Sequence, residues 1–220
     1  MIVMKTLLFS NTVGDVTKSD DAVSFNDYMK EYLAKNMSPR PKLLFINAPG
    51  LGGEDNYLAN ILKCFAEIEI NFTEVLDLDI DTSKSTLDDF YKASGETVYF
   101  LMGGNPLTQM EIIRKFNLTD TIKSYEGLAI GFCAGAINLS KYSIITTDDD
   151  FDRPQSYRGI GRVPIVVEPH YNNDDDIQRN KEISNFAKEL SEEIYAIPDT
   201  SVIVVENGSV KEFGKIYHFS

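Results

Sequence analysis

Leu128-Ala129-Ile130-Gly131-Phe132-Cys133-Ala134-Gly135-Ala136 decides how this chain reads. The apolar run predicts a buried strand, and the small residues around the cysteine predict an immediate turn into a helix. Gly131 and Gly135 stand two positions before and two after Cys133, where a nucleophile elbow leaves almost no room for a side chain. A cysteine at such a turn projects its sulfur from the top of a sheet, at a helix N-terminus that favours the thiolate. The same pattern also suits a small buried cysteine at an ordinary strand-to-helix turn, because free cysteine packs like a small hydrophobe. A nucleophile needs a base, an orienting acid and an oxyanion hole, so the rest of the chain has to supply them.

Outward from the elbow, strands and helices alternate. Strands are predicted over 6–9, 42–46, 72–76 and 98–102, and helices over 24–35, 54–67, 86–93 (capped by Ser85), 106–116 and 120–125. Asn105 is a good N-cap and Pro106 suits the first helical position, which places the start of the fourth helix. The glycine-rich loop at 47–53 lacks the dinucleotide fingerprint, since Asp55 stands where glycine or alanine belongs, and it reads as a plain βα loop. This alternation predicts a parallel sheet covered on both faces. Beyond Ala136 the pattern changes to an extended 142–146, a polar loop at 148–162, strands at 163–167 and 195–197, and a helix at 181–190. Asn207-Gly208, between the runs 202–205 and 210–213, predicts a C-terminal hairpin.

A chain of 220 residues with 43% hydrophobic content fits one α/β domain with a sizeable core. The net charge of −13 argues against nucleic acid and against an anionic membrane surface, both of which need a basic face. Two cysteines imply no disulfide framework and a reducing compartment, and Cys64, in a helical apolar pattern, reads as core. The stretch 1–9 is interrupted by Lys5 and lacks a cleavage pattern, so it reads as a first strand, and the expected location is cytoplasmic. Metal-ligand spacing is absent, Asp174-Asp175-Asp176 reads as a solvated loop, and neither metal nor cofactor is expected.

The chain has two histidines. His218 lies two residues from the end and reads as incidental, whereas His170, in Glu168-Pro169-His170-Tyr171, follows a strand and is the candidate base. The orienting acid stays open among Asp148, Asp149, Asp150 and Glu168. The oxyanion hole would combine the N–H of Ala134 with that of Gly103 or Gly104. Arg153, Arg158, Arg162 and Arg179 flank His170, and guanidinium groups bind carboxylates bidentately, which suggests an acidic group on the substrate; scattered surface arginines are the competing explanation.

Residues 7–12 (Leu-Leu-Phe-Ser-Asn-Thr), Gly103-Gly104-Asn105, the elbow and Pro169-His170-Tyr171 together resemble the peptidase E (aspartyl dipeptidase) family of the class I glutamine amidotransferase-like superfamily, in the same order over nearly the whole chain. The resemblance implies a flavodoxin-like three-layer sandwich and a nucleophile–histidine–aspartate triad. By position the nucleophile is Cys133, the base His170 and the acid Asp148, with Asp149 one residue out of step; Arg179 falls near the family's substrate-binding arginine. The family's nucleophile is serine, and here it is cysteine.

Three functions follow as expectations. The first is a peptidase E-like hydrolase acting through a thioester on a small peptide or amide, as a monomer or homodimer. The second is a glutamine amidotransferase-like protein, although Tyr171-Asn172 follows His170 where that group has glutamate two residues on. The third is a non-hydrolytic protein with a redox-sensing Cys133.

Overall fold

In the structure, a computed structural model that describes residues 4–16, 22–49, 57–148, 150–171 and 176–220, the elbow strand lies inside a seven-stranded sheet. The chain runs β1 (Lys5–Phe9), α1 (Asp27–Asn36), β2 (Lys42–Ile46), α2 (Tyr57–Ala66), β3 (Glu74–Leu78), α3 (Lys84–Lys92) and β4 (Thr97–Leu101). It continues through α4 (Pro106–Lys115), α5 (Leu118–Ser124), β5 (Leu128–Phe132) and α6 (Ala134–Leu139). The remainder comprises β6 (Tyr142–Ile145), β7 (Gln155–Arg158), β8 (Val166–Glu168), α7 (Ile177–Leu190), β9 (Ile194–Ala196), β10 (Val202–Glu206), β11 (Ser209–Phe213) and β12 (Tyr217–Phe219).

The large sheet has the order β11-β10-β1-β5-β4-β2-β3. Its β1, β5, β4, β2 and β3 are mutually parallel, and the predicted C-terminal hairpin closes one edge through the antiparallel pair β1–β10. Side chains alternate between two cores, as the period of two requires. Leu8, Leu44, Ile46, Tyr99 and Leu101 face α3 to α6, while Leu7, Phe9, Leu43, Phe45, Val98 and Phe100 face α1 and α2. That makes the three-layer α/β sandwich with a mainly parallel central sheet.

Several boundaries differ from the sequence reading for local reasons. β3 is an edge strand shifted to Glu74–Leu78, because Phe72 serves as a packing residue, edge-to-face on Phe65 at 4.9 Å, and not as part of the ladder. Ser83, not Ser85, caps α3, its hydroxyl accepting the N–H of Thr86. The polar β7 was expected as loop; it pairs only with β6, so it needs no apolar alternation. The strand expected at 163–167 begins at Val166, after Pro164, which has no N–H for a ladder. The glycine-rich loop at 47–53 falls partly outside the described residues.

β8 does not join the main sheet. It pairs in parallel with β9, which pairs with β12, over a third small core that includes Ile144, Tyr171, Ile183 and Phe186. The Ser10 hydroxyl, just past β1, donates to the Ile197 carbonyl at 2.6 Å and ties the ends of the two sheets together.

The sheet's other end is held by Arg162, only 5% exposed. Its guanidinium donates to Thr6 Oγ1 and to the carbonyls of Lys5, Ile122, Tyr125 and Gly127. All five donors a guanidinium owns are thereby used on backbone and hydroxyl oxygens. Among the described residues no helix is long and apolar enough to cross a membrane, and no group of His, Cys, Asp or Glu is placed to hold a metal.

Candidate active site

Cys133 follows β5 directly and opens α6, with φ 49° and ψ −108°. That is a strained backbone for a residue with a side chain, of the kind concentrated at functional sites. The turn is held from both sides. The Cys133 N–H donates to the Phe9 carbonyl at 2.9 Å. A Cβ on Gly135 would come within 2.0 Å of the Leu101 carbonyl oxygen, and one on Gly131 within 2.7 Å of the Ala136 nitrogen. The two glycines are thus required by the close approach of α6 to β4 and β5.

His170 lies two residues beyond β8 and also has positive φ, 56°. Its Nδ1 is 2.8 Å from Asp199 Oδ1, and its imidazole is also a hydrogen-bonding and electrostatic partner of the Cys133 side chain. Burial alone would lower the His170 pKa, but the neighbouring Cys133 side chain and the Asp199 carboxylate outweigh it and raise it to about 10. The site therefore favours the imidazolium, with one N–H on Asp199 and the other available to the sulfur. The other cysteine, Cys64, packs in the core as expected, and burial pushes its thiol up to about 12.

The carboxylate hydrogen-bonded to His170 is Asp199, and not Asp148, Asp150 or Glu168. Asp148 turns its Oδ1 back onto the N–H groups of Asp150 and Phe151, at 2.9 and 2.8 Å. Asp149 lies outside the described residues, and Asp150 is exposed. Glu168 is buried and ion-paired with Arg179 at 2.6 Å while accepting from Thr146. Its carboxylate is hydrogen-bonded by Arg179 and Thr146 and acts on the imidazole only as a nearby charge.

Asp199 was missed because it lies 29 residues further on. Only the tertiary pairing brings the two together: β8 and β9 run parallel with Glu168 opposite Ala196, so His170 and Asp199 leave neighbouring strand ends on the same side. His218 lies on β12, between Glu193 and Glu212 at 3.3 Å each, outside the Cys133 cavities.

Cys133 separates two cavities. One, of about 480 Å³, is bounded by residues after β1 (Asn11, Thr12, Asp15), by Tyr57 and by Gly103 and Gly104. The other, of about 220 Å³, lies toward α7 and is bounded by Thr146, Asp148, Asp150, Phe151, Glu168 and Arg179. Gly104 and Ala134 both border the second cavity beside the sulfur. Among the described residues no backbone acceptor takes the N–H of either. Gly104 has φ +126°, and a Cβ there would come within 2.2 Å of the Ala48 carbonyl oxygen.

α7 holds the walls of the smaller cavity. Arg179 donates to Glu168 Oε1 from Nε and Nη2, to the Pro169 carbonyl from Nη2 and to the His170 carbonyl from Nη1. One turn on, Glu182 accepts the N–H and hydroxyl of Thr147 at 2.8 and 2.9 Å. The segments carrying Asp148 and His170 are pinned to the same helix.

A parallel-sheet sandwich with a cysteine at a strand–turn–helix elbow, and a histidine–aspartate pair against it, is the architecture of the α/β proteins built around a nucleophile elbow. The sequence model of peptidase family S51 matches residues 7–213, and the chain belongs to that family. Peptidase E of Shewanella sp. (strain W3-18-1) is 29% identical over 214 residues, covering 95% of this chain and 83% of the relative. A crystal structure of a candidate peptidase E from Listeria monocytogenes EGD-e superposes with a TM-score of 0.68 at 17% identity, over 97% of this chain and 99% of that one. A peptidase from an acI-B1 actinobacterium gives 0.50 at 15% identity, over 97% and 88%.

Proposed function

We propose that this protein is a peptidase E-type hydrolase of small peptides or amides that works through a Cys133–His170–Asp199 triad, with cysteine where the family carries serine. The observation that carries the reading is the array itself: a sulfur on a positive-φ elbow, with an imidazole against it whose far nitrogen is 2.8 Å from a carboxylate.

In this reading the reaction starts with the proton on His170. The Cys133 thiolate attacks the amide carbonyl, and the negative charge that develops on its oxygen is met by the N–H groups of Gly104 and Ala134. His170 gives its proton to the amide nitrogen, the C–N bond breaks, and the amine departs, leaving a thioester on Cys133. Water then attacks the thioester while His170 takes its proton; the C–S bond breaks, releasing a carboxylic acid and restoring the thiolate. Asp199 holds the ring in the tautomer this exchange needs and stabilises the imidazolium.

Two measurements test the proposal. Iodoacetamide at pH 6 should label Cys133 far faster than Cys64, and the wild type should hydrolyse members of a dipeptide panel that Cys133→Ala leaves untouched. Equally slow labelling of both cysteines contradicts a catalytic thiolate. Rapid labelling and peroxide oxidation of Cys133, with no hydrolysis of any dipeptide or of glutamine, would favour a redox role instead.

A further inference from the structure

Among the described residues Arg179 is the arginine that lines the cavities beside Cys133, and it is already engaged. A guanidinium has five N–H donors, and capture of a carboxylate uses two of them in parallel. Arg179 places two on Glu168 Oε1, one on the Pro169 carbonyl and one on the His170 carbonyl, which leaves one Nη1 N–H. Glu168 is 2% exposed and held from the other side by Thr146. It cannot swing aside without leaving a buried carboxylate unpaired. Among the described residues the other charged groups lining the smaller cavity are His170, at the sulfur, and Asp148 and Asp150.

Resting on the reading of Cys133 as the nucleophile, we infer that Glu168 is a specificity-determining residue. It serves as an internal carboxylate that occupies Arg179, so that the subsite rejects an acidic side chain and accepts an ammonium group. Arg179 is then a positioning residue, holding the backbone at Pro169 and His170, and not a substrate-binding one. A substrate carboxylate at the α7 end of the cavity would meet three carboxylates and a single spare guanidinium N–H, because His170 and the N–H groups of Gly104 and Ala134 stand at the sulfur and serve the scissile amide. An ammonium, from the α-amino group of the substrate or from a basic side chain, would meet Asp148 and Asp150 directly. The 220 Å³ of the cavity leaves room for one residue of moderate size.

The test is equilibrium binding, which does not require turnover. Asp-Leu, Ala-Leu and Lys-Leu are titrated calorimetrically into Cys133→Ala, with and without Glu168→Gln. Ala-Leu and Lys-Leu should bind at least about tenfold more tightly than Asp-Leu, and Glu168→Gln, which weakens the hold on Arg179, should move that ratio about tenfold toward Asp-Leu. Lys-Leu binding more tightly than Ala-Leu assigns the recognised charge to the side chain, and equal binding assigns it to the α-amino group.

Asp-Leu binding as tightly as the others, or no binding of any of them, overturns the inference, and so does a ratio that Glu168→Gln leaves unmoved. If Glu168→Gln does not fold, the order of the three dipeptides on the parent protein decides alone. Hydrolysis by the wild type is scored separately, so a failure of the hydrolase reading and a failure of this inference give different results.

Discussion

Replacing Asp199 with asparagine isolates the part of the site that the sequence least advertised. The carboxylate accepts from His170 Nδ1 at 2.8 Å and, with the Cys133 sulfur, holds the imidazole pKa near 10 against the opposing effect of burial. A hydrogen bond to a charged partner contributes about 1.5–3 kcal/mol, which corresponds to roughly 10- to 150-fold in rate. Asparagine also brings an N–H₂ that can face Nδ1 and favour the wrong tautomer, which in the serine-protease template raises the loss to about 10⁴-fold. The expected result is therefore a fall in kcat/KM of about 10² or more, accompanied by a lower His170 pKa. The sign follows from the removal of an anion that favours the protonated ring. Peptide turnover and an NMR titration of His170 read the two effects independently. Asp148→Asn should leave the His170 titration where it is, because Asp148 turns toward its own loop. Asp199 does not orient His170 if Asp199→Asn keeps turnover within about threefold and the titration unchanged, or if Asp148→Asn is the variant that moves the titration.

Three further outcomes follow from the same geometry. Cys133→Ser removes the ionisable sulfur that raises His170, so the imidazole should titrate below its value of about 10; an unchanged NMR titration would contradict the pairing. Arg162→Ala strips hydrogen bonds from four carbonyls and the Thr6 hydroxyl beneath the sheet and should cost about 3–5 kcal/mol in urea denaturation, with a change under about 1 kcal/mol counting against the buried staple. Gly135→Ala pushes a methyl into the Leu101 carbonyl and should yield insoluble or inactive protein; a soluble variant with full turnover would show that the elbow is not tight.

The main sheet was legible because its strands are short apolar runs bounded by turn residues, and the runs at 42–46 and 128–132 were located without error. Asn105-Pro106 and Asn207-Gly208 marked a helix start and a hairpin, for reasons of capping and backbone preference that need no tertiary context. The elbow and His170 were legible for a similar reason, since sterics demand the two glycines and only two histidines exist. What could not be read was tertiary. β7 and β12 are polar or short strands that exist because a partner strand is adjacent. The assignment of Asp199 over Asp148 depends on β8 and β9 being neighbours in a separate small sheet. The likeness to the family pointed to Arg179 as a substrate contact, but nothing local in the sequence showed that Glu168, eleven residues earlier, already occupies its guanidinium.

In the proposed reaction the Cys133 sulfur forms the bond to the substrate carbonyl. Rapid acid quench of the wild-type enzyme during turnover of a small peptide, followed by mass spectrometry of the peptide containing Cys133, tests it directly. An acyl group on Cys133 should form and decay at the rate of turnover and be absent in Cys133→Ala. Product formation with no acyl adduct on Cys133, or turnover that survives Cys133→Ala, would contradict it.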